Sequence, residues 1–190
     1  MNETPDATST VKPARKVRMA TVWLDGCSGC HMSFIDMDDR LLALAPYIEL
    51  VYSPLVDAKS FPENVDVALI EGSVSTDEDI EHIRHIRKNT KILVSLGDCA
   101  VTGNVPAMRN EFPTEEVFDR AYKENAAIQQ QKPTKYLPTL LDRVRPVHEV
   151  VKADVFVPGC PPPADAIYYV VSELLAGRTP DVASVTRFGR

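Results

Sequence analysis

Short runs of β-branched and aliphatic residues alternate along this chain with longer stretches whose apolar positions recur at helical spacing. The run VRMATVWL at 17–24 predicts a strand that feeds a turn-prone DGCSGC segment. Over 32–44, Phe34, Ile35, Met37, Leu41, Leu42 and Leu44 keep near-helical spacing, which predicts one helix stopped by Pro46. Strands are predicted at 48–52 and at 65–70, the second ending at Glu71-Gly72, and a helix at 76–89 with Ser75 or Thr76 as its cap. The next strand, 91–96, ends at Gly97-Asp98-Cys99; a short one at 155–157 runs into PGCPPP, and a helix at 164–175 is closed by Gly177. Between these last strands, 104–146 is polar and punctuated by proline, with weak helical signals and no clear strand, and is expected to be an irregular insertion.

Strands separated by helices imply an α/β fold: a doubly wound, mostly parallel, flavodoxin-like sheet with helices on both faces. A single domain over 17–190 is expected, behind a polar tail at 1–16 that is expected to be disordered. Composition narrows the setting. Apolar runs such as VALI and ILVSL are strand-length and flanked by charge, far from the roughly 20 residues needed to span a bilayer, so no membrane partner is expected. The 27 acidic and 21 basic residues leave a net charge of -6 with no basic stripe, which argues against nucleic acid. The first residues hold neither an apolar leader nor an Arg-Arg pair, so a cytoplasmic protein is expected. In that compartment four cysteines point away from structural disulfides and leave metal or cluster ligation open.

Ligands of doubly wound sheets bind at the carboxyl ends of the strands. All four cysteines are expected there, Cys27 and Cys30 after the first strand, Cys99 after 91–96 and Cys160 after 155–157. Cys27-Ser28-Gly29-Cys30 can turn two thiolates toward one centre, but a C-x-x-C after a strand also describes a thioredoxin-type dithiol. A cubane cluster uses four thiolates, which matches the count. Structural zinc uses four as well, although usually in two tight knuckles, whereas Cys99 and Cys160 are far apart in sequence. Four unrelated buried cysteines are the plainest alternative, against which stand their glycine and proline neighbours.

The segments DGCSGC, LIEGSV, LGDCAVTGNVPAMRN and VFVPGCPPPADAI, in this order, resemble the small subunit of NiFe hydrogenases and the related 20 kDa subunit of respiratory complex I. The resemblance implies that Cys27, Cys30, Cys99 and Cys160 hold the 4Fe-4S cluster proximal to a nickel-iron site, which itself lies in a separate large subunit. This chain would then conduct electrons and leave the hydrogen bond to its partner. Exported relatives carry a twin-arginine signal and a further cluster-binding domain, and neither is found in this sequence. The complex I subunit has two adjacent cysteines at the first motif and serves a quinone pocket; a quinone-reductase subunit of that kind is the alternative within the family. The chain is most similar to the small subunits of cytoplasmic, bidirectional NAD-reducing hydrogenases, which implies iron-sulfur and flavin-containing diaphorase partners holding FMN and the NAD site. One departure is plain: where many relatives have C-x-x-C-x-E, this chain has Met32.

Around the cysteines, Pro158, Pro161, Pro162 and Pro163 are expected to stiffen one ligand loop. Gly26, Gly29, Gly97 and Gly159 either serve turn geometry or aim N–H groups at sulfur. Glu71 reads first as a structural carboxylate capping a helix or loop, and second as an acceptor of N–H bonds or a proton relay; Asp25 and Asp98 read as turn residues. His31 either lines a route to the large subunit or is a plain loop histidine. His82 and His85 sit on a charge-rich helix face expected to be solvated, with Ile80, Ile83 and Ile86 inward. Trp23 and Tyr47 read as packing residues. DGCSGC occupies the place of a flavodoxin phosphate loop, so FMN is not expected in this chain. The terminal RTPDVASVTRFGR offers basic residues for a partner.

Overall fold

The computed structural model describes residues 15–186. The expected tail, apart from Arg15 and Lys16, and the last residues of the terminal basic segment lie outside the described residues. Seven strands are β1 (Val17–Trp23), β2 (Ile48–Tyr52), β3 (Val65–Glu71), β4 (Val74–Thr76), β5 (Thr90–Leu96), β6 (Leu140–Arg145) and β7 (Val155–Val157). Five of them form a parallel sheet in the order β2-β1-β3-β5-β7, the doubly wound arrangement expected from strand–helix alternation. Its register places Trp23 beside Glu71, Glu71 beside Leu96 and Leu96 beside Val157, so four strands end on one row. Every cysteine lies in the chain that leaves this row.

Both faces of the sheet are covered, which is why its strands are apolar at nearly every position. On one face Met19, Val67, Leu69, Val94 and Leu96 pack against Phe34 of α1 (Gly29–Ile35), Leu44 of α2 (Asp39–Leu44) and Ile167, Val170 and Val171 of α7 (Ala164–Leu175). The opposite face sets Ala20, Val22, Ala68, Ile70 and Leu93 against Ile83 and Ile86 of α3 (Asp77–Asn89) and Ala100 of α4 (Asp98–Thr102). Thr76 caps α3 by accepting from Asp79 N, and the Asp79 carboxylate accepts from Thr76 N in return, a reciprocal capping box. Among the described residues no helix is long and apolar enough to cross a membrane.

Two local expectations change. The helix expected over 32–44 is two helices, because the chain breaks at Asp36–Asp38 and Asp38 adopts φ 48°. Met37 is nevertheless fully buried at the break, so the apolar spacing continues through it and hides it. The segment 104–146 also holds more order than its sequence suggests. It contains α5 (Asn104–Ala107), α6 (Thr114–Asp119) and β6, which pairs antiparallel with β4. Asn110 fixes β6 from the side, donating from Nδ2 to Val144 O at 2.9 Å and accepting from Val144 N at 2.7 Å.

At the amino end of the sheet, Asp66 accepts two bonds from the Arg15 guanidinium at 2.7 Å, one from Lys91 Nζ at 2.8 Å and one from Arg18 N at 3.0 Å. The Arg15 bond, with help from Lys91 and the Arg18 amide, holds its carboxyl well below the usual carboxylate range against an opposing cost of burial. A depressed carboxylate stabilises the fold above its unfolded value and loses that contribution as pH falls through the folded one. Asp66→Asn is expected to cost about 1–2 kcal/mol at pH 7, discounted because Arg15 and Lys91 stand in water. Urea unfolding at pH 7 and at pH 3 should show the gap between the two proteins narrowing at the lower pH; a constant gap would refute the assignment.

Candidate metal centre

Cys27 lies in the turn after β1, and Cys30 is the second residue of α1, with Ser28 between them in the left-handed conformation at φ 61°. Beneath this turn stands Glu71, the last residue of β3 and only 2% exposed. Its carboxylate accepts from Cys30 N at 3.2 Å and His31 N at 2.9 Å, and it also bonds His31 Nδ1. The other imidazole nitrogen, Nε2, is 2.9 Å from Thr21 Oγ1, whose hydroxyl donates to Ser53 Oγ at 2.8 Å. A buried chain of side chains on β1, β3 and α1 thus locks the main chain at Cys30.

Cys99 lies in α4, directly after β5, and Cys160 follows β7. These two turns are stitched together: Gly97 N donates to Val157 O at 2.8 Å, Asp98 N to Gly159 O at 2.9 Å, and Gly159 N to Asp98 Oδ1 at 2.7 Å. Ser33 Oγ of α1 donates to Pro162 O at 2.6 Å, which ties the Cys27–Cys30 segment to the Cys160 loop. Gly97 is held at φ +83°, and a Cβ there would stand 2.2 Å from Cys30 Sγ. Glycine is therefore required both by the backbone and by the sulfur that occupies the missing side chain's place.

All four thiols are free; Cys30 is buried, Cys99 half-buried, and Cys27 and Cys160 exposed. Burial pushes the Cys30 thiol far above its ordinary value, and Glu71, Cys99, Cys27 and Cys160 push in the same direction. Cys99 is raised by burial, then by Cys160 and Cys27, and is eased by a hydrogen bond from Asn104. Cys30 and Cys99 thus each lie within electrostatic reach of Cys27 and Cys160, an arrangement costly as bare thiolates and relieved by bound cationic metal. Among the described residues no three His, Cys, Asp or Glu side chains are spaced to hold a single ion. A lone tetrahedral zinc would need sulfurs about 3.8 Å apart, from metal–sulfur bonds of about 2.3 Å. Four thiols on adjoining loops are a donor set of the kind that metal centres use.

Several neighbours behave differently from expectation. The N–H groups of Gly97 and Gly159 are spent on Val157 O and Asp98, so they do not point at sulfur. Glu71 is structural, as first expected, but it serves the start of α1 from across the sheet. His31 is not a plain loop histidine; it lies within α1, 6% exposed and paired with Glu71. Trp23 is 49% exposed and braces the turn through Nε1 to Gly26 O at 3.1 Å. Asp98 joins two cysteine turns, and Asp25 accepts from Ser75 Oγ. His82 is partly buried against the edge of Tyr52, which lowers its pKa, while His85 stands edge-on to Phe61. Thr21, Ser53, Ser33 and Asn104 carried no sequence signal, since each acts only through a residue distant in the chain. A separate groove of about 870 Å³, walled by Met108, Arg109, Phe112 and Val117 among others, contains no cysteine.

A doubly wound sheet bears four free cysteines on interlocked loops at its carboxyl edge, and the same α/β fold is found in a solved NAD+-reducing [NiFe]-hydrogenase. Residues 27–174 match the family described as NADH ubiquinone oxidoreductase, 20 kDa subunit, and the chain belongs to that family. The delta subunit of the NAD-reducing hydrogenase HoxS of Cupriavidus necator is 44% identical over 179 residues, covering 91% of this chain and 86% of that subunit. The gamma subunit of the coenzyme F420 hydrogenase of Methanosarcina barkeri is 35% identical over 156 residues, covering 80% of this chain and 51% of that subunit. A crystal structure of an NAD+-reducing [NiFe]-hydrogenase in the H2-reduced state superposes with a TM-score of 0.87 at 43% identity, covering 92% of this chain and 99% of that one. A [NiFeSe]-hydrogenase of Dm. baculatum, 20% identical with a TM-score of 0.56, shares the fold. These relatives are subunits of oxidoreductase complexes.

Proposed function

We propose that this chain is the electron-transfer small subunit of a cytoplasmic NAD-reducing NiFe hydrogenase, with Cys27, Cys30, Cys99 and Cys160 as ligands of one 4Fe-4S cluster. Bound there, the cluster supplies one-electron transfer between the nickel-iron site of a large subunit and iron-sulfur and flavin-containing diaphorase subunits that hold FMN and NAD. The observation that supports the reading is the stitching together of three loops, distant in sequence, that carry four free thiols. Glu71 and His31 fix Cys30, and the Asp98–Gly159 bonds fix Cys99 relative to Cys160, so the protein reorganises little as charge comes and goes. A dithiol oxidoreductase has no use for Cys99 and Cys160 in this place.

The exposed pair Cys27 and Cys160 marks the side that faces a partner. Beside them Trp23, Met32 and Val105 are 49%, 58% and 62% exposed, apolar surface suited to burial against the large subunit. Met32, standing where many relatives carry Glu, contributes to this surface.

The test is anaerobic iron and acid-labile sulfide analysis of the chain co-expressed with its large subunit, beside four single Cys→Ser variants. About four irons and four sulfides per chain are expected, lost in each variant together with hydrogen-dependent NAD+ reduction. One zinc without sulfide would leave a structural zinc module. Redox activity retained in Cys99→Ser and Cys160→Ser would leave a dithiol enzyme.

A further inference from the structure

Asn104 opens α5 immediately after Gly103 and holds a left-handed backbone, φ 33°. From there its Nδ2 reaches Cys160 Sγ at 3.4 Å. Among the described residues it is the one side chain that hydrogen-bonds Cys160. Its position explains this contact. Cys99 leaves β5 and Cys160 leaves β7, neighbouring strands, and the turn from α4 into α5 folds Asn104 back toward the gap between them.

The surrounding groups give this amide its weight. Glu71, the nearest buried carboxylate, adds negative charge to the same region, and its proton donors are the main chain and His31. The N–H groups of Gly97 and Gly159 are committed elsewhere. No lysine or arginine of the described residues hydrogen-bonds any of the four cysteine sulfurs, which leaves the neutral Asn104 amide as the side chain that answers added charge on Cys160.

We infer that Asn104 is a positioning residue that tunes the reduction potential of the centre by donating a hydrogen bond to Cys160. The inference rests on the cluster reading above. A donor to sulfur favours the more negative, reduced state, so its removal lowers the potential.

The left-handed backbone makes a clean experiment possible, because glycine and aspartate both tolerate it. Asn104→Gly removes the donors and keeps the turn, while Asn104→Asp keeps the shape and replaces donors by a carboxylate. Both are to be purified anaerobically in the complex, assayed for iron and sulfide, and titrated potentiometrically with the reduced centre followed by EPR. With iron and sulfide at the wild-type level, Asn104→Gly is expected to lower the reduced-to-oxidised ratio at the wild-type midpoint about tenfold, the scale of a hydrogen bond to a charged group. Asn104→Asp is expected to lower it further. Unchanged midpoints with full iron and sulfide would overturn the inference and leave the cluster reading intact. Loss of the cluster from both variants would make Asn104 a scaffold residue and overturn it as well. A wild-type complex with no iron or sulfide on this chain would instead overturn the cluster reading itself.

Discussion

Gly97→Ala is expected to strip iron and sulfide from the chain while leaving the sheet folded. Two costs coincide at this position. With φ +83° and ψ 159°, Gly97 occupies backbone territory that side chains avoid, at a penalty of about 1–3 kcal/mol. The added methyl would also stand 2.2 Å from Cys30 Sγ, a separation no packing tolerates. The backbone cannot swing aside, because Gly97 N is bound to Val157 O and Gly97 O accepts from Val101 N. The sulfur must turn away instead, and one proposed ligand is lost. Gly177→Ala is the control: its φ is +71°, but nothing lies within 4 Å of the new methyl. It should cost about 1–2 kcal/mol of left-handed strain and keep its full iron. Iron and sulfide analysis of both variants, beside circular dichroism, decides the matter, and a fully loaded Gly97→Ala chain would refute the contact.

The largest loss of stability is expected from His31→Ala. His31 and Glu71 are paired with side chains 7% and 2% exposed, and the imidazole is the only side chain hydrogen-bonded to that carboxylate among the described residues. Removing the imidazole leaves the buried Glu71 carboxylate with two backbone N–H donors only, at a cost of about 2–4 kcal/mol, below that of a fully unpaired buried charge. The effect should appear in urea unfolding as a lower midpoint. Glu71→Ala and the double variant complete a cycle in which the two losses are less than additive, with a coupling of about 1–3 kcal/mol. A single loss below about 1 kcal/mol would mean that the site relaxes around the deletion and that the pair does not secure Cys30.

The parts of this protein that were legible in its sequence are those decided by neighbouring residues. Helix α7 was read with its observed bounds because its apolar spacing, the preceding prolines and Gly177 agree. Strands β1, β2, β3, β5 and β7 announced themselves by apolar runs, and the row on which the cysteines converge followed from topology alone. What escaped is non-local. Strand β6 is half-exposed and acquires its identity only by pairing with three residues of β4 and by the side bonds of Asn110. The break at Asp38 left the apolar spacing undisturbed. Glu71 looked like a local cap because nothing in LIEGSV reveals which helix lies above the end of β3. Asn104 sits in a Gly-Asn-Val-Pro turn whose composition speaks of backbone geometry and is silent about sulfur.

The stitched turns also impose an order of events. Cys27 leaves the ribosome early, whereas Cys160 follows β7, the last strand of the sheet and one that pairs with β5 over only three residues. Between the two, the chain must lay down the rest of the parallel sheet, so the four-sulfur site is a contact of very long range. A nascent chain that lacks β7 presents three cysteines and an open edge on β5. On the proposed ligand set, the full complement of four thiolates is available only once synthesis and folding of the sheet are essentially finished.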